Sequence, residues 1–162
     1  MCDFLVQLNH LDKQPGPKID IDLLSYAGPK RRWRTLEDLN SAGVLDIFHK
    51  ITFTTQRTSE DGPGQCTTEH HVYQSTNPRR AEVPYEIFDG GKDAYIRSCH
   101  DHETDAQIML VDDKAFILEA AQDLMPCLHV TEMKTSHNFH ARFSSRVSNF
   151  DELLEVIRAF AR

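Results

Sequence analysis

Cysteine is scarce and scattered in this chain. Cys2, Cys66, Cys99 and Cys127 form no Cys-x-x-Cys pair, so their spacing argues against a zinc knuckle and a thioredoxin-like motif, and reduced thiols are the expectation. Long apolar runs are missing too. No stretch of about 18 apolar residues is present to span a bilayer as a helix. The opening residues Met1 to Leu8 lack a basic region followed by a long apolar one, so a cytoplasmic protein with no membrane partner is expected. Positive charge is in deficit, with 18 Lys and Arg against 25 Asp and Glu and a formal net charge of −7. A phosphate field would repel such a chain as a whole, which disfavours nucleic acid as a partner. The Gly-x-Ser-x-Gly elbow, the phosphate loop, His-Glu-x-x-His and the dinucleotide fingerprint are all absent from the sequence.

What is present fits a globular protein. The 162 residues are 40% apolar and 27% charged, too apolar for disorder and long enough to bury a core without disulfides. Residues 1–34 read as an irregular arm packed on the domain, because Gln14-Pro15-Gly16-Pro17 and Gly28-Pro29 interrupt its short apolar runs. Ile19 to Leu24 fits a strand or a helix equally by period. Residues 35–162 read as one α+β domain. Thr35 suits an N-cap, with Glu37 and Asp38 in the first turn, so a helix is expected from Leu36. It either closes at Gly43 or, as the preferred reading, runs on to Lys50.

From Ile51 the pattern turns to strands. Ile51–Arg57 and Cys66–Gln74 suggest one hairpin; Val83–Phe88 and Asp93–Ser98, flanking Asp89-Gly90-Gly91-Lys92, suggest another. A further apolar run covers Ala106–Val111. Asp112-Asp113 then caps a helix from Lys114 to Met125, stopped by Pro126. Cys127–Met133 and His137–Ser145 read as a third hairpin. Phe150, Leu153, Leu154, Ile157 and Phe160 follow helical spacing after Asn149, with Glu152 three residues on. The expected fold is therefore α+β, an antiparallel sheet of about six or seven strands with two or three helices packed mainly on one side. In element order alone it is similar to the type III secretion chaperones. That resemblance implies an acidic cytosolic dimer whose helix-and-strand sandwich holds a segment of another protein.

The chemistry-bearing residues gather at Ser98-Cys99-His100-Asp101-His102-Glu103-Thr104-Asp105. Strand alternation would send His100 and His102 from one face, where Asp105 or Glu103 could complete a divalent metal centre such as zinc or serve as general base in a hydrolase or lyase. Against this, the stretch is rich in turn-favouring residues, and a metal needs three or four convergent ligands. Asp101, Glu103 and Asp105 fit a calcium loop poorly, because Ala106 stands where the turn needs glycine. Cys127, His129 and His140 would share a face of the third hairpin. Glu69-His70-His71 lies in a strand, so its two imidazoles face opposite ways. Cys2 would become an N-terminal nucleophile only if Met1 were removed. Lys30-Arg31-Arg32-Trp33-Arg34 is the longest basic cluster and holds the only tryptophan. It is a candidate contact for a protein or an RNA, or a solvated lead into the helix at Leu36 with Trp33 packed back on it.

Together these features lead us to expect a non-catalytic protein-binding module, chaperone- or inhibitor-like, with no cofactor, another protein as partner and a homodimer as one form. A metal-dependent enzyme using His100, His102 and Asp105 or Glu103 is the first alternative. RNA binding through Lys30 to Arg34 is the second.

Overall fold

A computed structural model of the chain describes residues 20–56, 66–76, 80–100, 108–112, 114–125, 127–130, 145–147 and 150–160. They fall into two compact units, one reaching to Lys92 and one beginning at Asp93.

The first unit holds β1 (Asp22–Tyr26), α1 (Pro29–Ser41), a 3₁₀ turn (Leu45–Ile47), β2 (Lys50–Thr54), β3 (Thr68–Gln74) and β4 (Glu82–Phe88). The helix starts seven residues before Leu36, since Pro29 occupies its first turn, where a fixed φ and a missing N–H cost nothing. Lys30 to Arg34 are thus helical and not a lead into the helix. Thr35 sits inside α1 and its hydroxyl donates to the Arg31 carbonyl at 2.9 Å instead of capping. The extension to Lys50 is not formed. Gly43, at φ +68°, takes the left-handed conformation that closes a helix, and the chain passes into the 3₁₀ turn.

The four strands form one mixed sheet in the order β1-β2-β4-β3. β1 pairs with β2 and β2 with β4 in parallel, and only β3 runs antiparallel, against β4. The expected β2–β3 hairpin is therefore not made. β4 lies between those two strands because Ile51 to Thr54 are buried without alternation, the mark of a parallel strand covered on both faces. Pro84 is tolerated within β4 because pairing with β2 begins only at Glu86. The core on the α1 side joins Ala27, Leu36, Leu45, Phe48, Ile51, Phe53, Tyr73 and Val83. Phe53 also meets Tyr85 edge-on, with ring centroids 5.9 Å apart. Each large side chain buried here contributes about 1.5–3 kcal/mol.

The second unit takes in helix α2 (Lys92–His100) from Asp93 on, and then β5 (Leu110–Asp112), α3 (Ala115–Ala121), β6 (Cys127–Val130), β7 (Ser145–Val147) and α4 (Phe150–Phe160). Its three strands pair in parallel in the order β5-β6-β7. The expected strand Asp93–Ser98 is a helix. Asp89 and Gly90 are held by the strand ends of the first unit, the Gly90 N–H donating to the Phe88 carbonyl at 3.1 Å and to the Thr55 hydroxyl at 3.2 Å. Beyond this turn, Ile96 is buried and the Ser98 hydroxyl bonds the Tyr95 carbonyl at 2.7 Å. The expected antiparallel partner of β6 is also replaced: Ser145–Val147 runs parallel to it, while 131–144 lie outside the described residues. α3 and α4 form where helices are expected, and α4 buries Leu153 and Leu154. The protein thus combines helices and strands as expected, but in one mixed and one parallel sheet instead of one antiparallel sheet. Among the described residues, no helix is long and apolar enough to cross a membrane.

Candidate protein-binding edge

Among the described residues β3 has one strand neighbour, β4, and forms an edge of the sheet. Its hydrogen-bonding phase is fixed at both ends. The Asp89 N–H donates to the Thr67 carbonyl and the Ser75 N–H to the Ala81 carbonyl, each at 2.8 Å, in the register that pairs Thr68 with Phe88 and Gln74 with Glu82. In an antiparallel ladder such pairs alternate, so the odd-numbered residues of β3 turn their backbone groups to β4. Thr68, His70, Val72 and Gln74 therefore direct N–H and C=O outward. All four are exposed, Val72 at 55% despite its apolar side chain.

The two faces of this strand differ. On one, His70, Glu86 and Thr52 form a row across three strands. Glu86, its side chain 19% exposed, meets Lys50 Nζ at 3.1 Å, His70 Nδ1 at 3.6 Å and the Thr52 hydroxyl at 3.5 Å. This half-buried carboxylate is compensated by two cationic or polarisable partners, as burial of a charge demands. On the other face His71 Nε2 lies 3.2 Å from Glu69 and its ring stacks on Tyr85 with centroids 5.2 Å apart. The opposite orientations expected of His70 and His71 are observed. Tyr73 is buried beside α1, and burial, with the Glu37 carboxylate adding to it, pushes its hydroxyl above the ordinary range.

The α1 helix runs alongside this edge. Trp33 meets Tyr73 edge-on with centroids 5.1 Å apart, and at the other end Asn40 bonds the Thr76 hydroxyl at 2.8 Å and accepts from the Ser75 hydroxyl at 2.6 Å. Trp33 therefore leans on β3 and stays 53% exposed. Of the basic cluster, Arg32 is structural: its Nε donates to the Ala27 carbonyl at 2.6 Å, tying the start of α1 to the end of β1. Lys30, Arg31 and Arg34 are exposed, and Arg34 approaches Asp38 at 4.0 Å in a solvated pair that adds little.

The other sequence candidates are not assembled by the described structure. His100 ends α2, and His102, Glu103 and Asp105 lie outside the described residues, as do Asp101, Cys2 and His140. Among the described residues no group of three or more His, Cys, Asp or Glu is gathered to hold a metal. Cys127 is buried with its Sγ 3.4 Å from the Met125 carbonyl and 3.6 Å from that of Leu118. Burial pushes its thiol up, away from the thiolate a metal or a nucleophile requires. The hairpin that would have placed it with His129 and His140 is replaced by parallel pairing.

A second edge collects the carboxyl ends of β1, β2 and β4, where Tyr26, Thr54 and Phe88 stand in register. There the Thr55 hydroxyl donates to Asp89 Oδ1 at 2.9 Å and the Gln56 N–H to the Gly90 carbonyl at 3.0 Å. Sequence reasoning missed both edges, since each depends on which strands become neighbours. The likeness in element order to the type III secretion chaperones does not survive the helix at Lys92–His100 and the parallel pairings. No family model, no curated protein and no solved structure matches the chain.

Proposed function

We propose that the first unit is a non-catalytic protein-binding module that takes an extended segment of another chain as an added strand along β3. The outward-facing backbone of Thr68, His70, Val72 and Gln74 carries this reading. Main-chain hydrogen bonds would supply the attraction, and the exposed Trp33 ring beside Tyr73 would favour a segment bearing apolar side chains. Val72→Pro tests it cleanly. The lost N–H faces outward, so the β3–β4 ladder keeps its bonds, whereas an added strand loses one and meets the ring. Because Trp33 is the only tryptophan, its emission reports directly on the edge. A panel of seven-residue extended peptides should include sequences that shift this emission, with binding weakened at least about tenfold in Val72→Pro at unchanged circular dichroism. Equal binding by the variant and the parent would end the proposal.

A second reading is favoured by the parallel order of β1, β2 and β4, because open sheets of this kind receive small ligands outside the carboxyl ends of their strands. The loops at Thr54–Gln56 and Phe88–Gly91 would line that site. Amide shifts in a small-molecule fragment screen should then cluster on residues 54–56 and 88–91. Shifts confined to β3 and α1 would reject it.

A further inference from the structure

We infer that the strand added along β3 is β3 of a second copy of this chain, an assignment that rests on the edge reading above and narrows it to one occupant. The argument is self-complementarity. Antiparallel pairing about a two-fold axis requires that outward-facing residues meet outward-facing residues, so the even-numbered positions of one copy must oppose those of the other. A register slipped by one residue would exchange the two faces and is excluded by the same phase. Three registers keep at least five residues of β3 paired, centred on His70, His71 or Val72; the last places Glu69 opposite Ser75 and His71 opposite Tyr73 and brings no carboxylate to an imidazole.

Hydrogen-bonding complementarity of the facing side chains decides among them. Centring on His71 places Glu69 opposite Tyr73 of the second copy and sets His71 against itself. Centring on His70 places Glu69 opposite His71 of the second copy, twice by symmetry, on the face where these two side chains already meet within one chain at 3.2 Å. It also places Thr68 opposite Val72, twice. The central imidazoles oppose each other, but each already has the Glu86 carboxylate 3.6 Å away on the neighbouring strand, and Lys50 lies beyond it on the same carboxylate. In this register His70 exchanges both main-chain bonds with its counterpart, and Thr68 and Val72 exchange theirs across the axis. Two four-stranded sheets would become one of eight strands, with the exposed edge removed from both copies.

Sedimentation equilibrium of the full chain tests the assignment, with three variants. The parent should dimerise, and Val72→Pro should weaken dimerisation at least about tenfold while circular dichroism is unchanged. Glu69→Lys and His71→Glu should each weaken it, whereas the double exchange, which again sets a carboxylate against a hydrogen-bond donor across the axis, should recover most of the loss. In a Cys66→Ser background, His70→Cys should form a covalent dimer under mild oxidation faster than His71→Cys, because opposed residues bring their Cα atoms within disulfide range. Faster crosslinking of His71→Cys, or no recovery in the double exchange, would overturn this register. A monomeric parent that still binds extended peptides in a Val72→Pro-sensitive way would overturn the second copy and leave the edge reading standing. A monomeric parent that binds no peptide would remove both.

Discussion

At the scale of single residues, Gly90 is held where a side chain has no room. A Cβ built there would lie 2.7 Å from a ring carbon of Phe88 and 3.1 Å from Cys66 Sγ. The Phe88 ring is buried and cannot swing clear, whereas Cys66 is exposed and can. Gly90→Ala should therefore destabilise the protein by about 1–3 kcal/mol, the usual cost of forcing extra volume into a packed site. Urea unfolding should show a lower midpoint at an unchanged slope. Adding Cys66→Ala to this variant should recover little, because the ring contact remains; full recovery would show that the sulfur, not the ring, is the obstacle. The same glycine explains why a strong hairpin signal was misleading. In sequence it looks like the tip of a two-residue turn. In the structure it is required by close approach, and its neighbours hand the chain to a helix.

At the scale of elements, legibility follows burial. β2 and α4 were readable because each repeats its apolar residues at its own period over a buried face. α2 was not. Among its described side chains Ile96 alone is buried, which leaves no helical stripe to detect, and the chance alternation of Ala94, Ile96 and Ser98 imitates a strand. Strand existence was also easier to read than strand neighbours. β3 and β4 were each placed within two residues, yet their order depends on pairings across 30 or more positions of sequence, such as Thr52 with Glu86. For that reason the Glu69, His70 and His71 orientations were legible while the exposed edge they occupy was not. Trp33 is expected from sequence as a partner contact or as packed back on its own helix; the aromatic neighbour the fold gives it, Tyr73 on β3, depends on tertiary packing and is not legible there.

At the scale of the whole molecule, net charge separates the readings of the basic helix and the open edge. Each chain carries −7 at neutral pH with histidines neutral. Two such charges about 35 Å apart repel by about 6 kcal/mol in water before screening. A Debye length of about 30 Å at 0.01 M salt leaves about 2 kcal/mol of this, and one of about 10 Å at 0.1 M leaves a few tenths. Salt also weakens the Glu69–His71 pairs across the axis, but exposed pairs of this kind are worth about 0.2–1 kcal/mol each and are only partly lost. Long-range repulsion therefore dominates, and self-association should tighten by about tenfold between 0.01 M and 0.1 M salt. RNA binding through Lys30, Arg31 and Arg34 requires the reverse, since releasing counterions from a single strand makes affinity fall with a log–log slope of about −0.7 per phosphate contacted. One salt series, read by sedimentation for the chain alone and by Trp33 emission with single-stranded RNA present, puts the two side by side. Dimerisation that weakens with added salt would contradict the sheet-edge assembly, and RNA affinity with a steep negative slope would move the function of α1 from protein to nucleic acid.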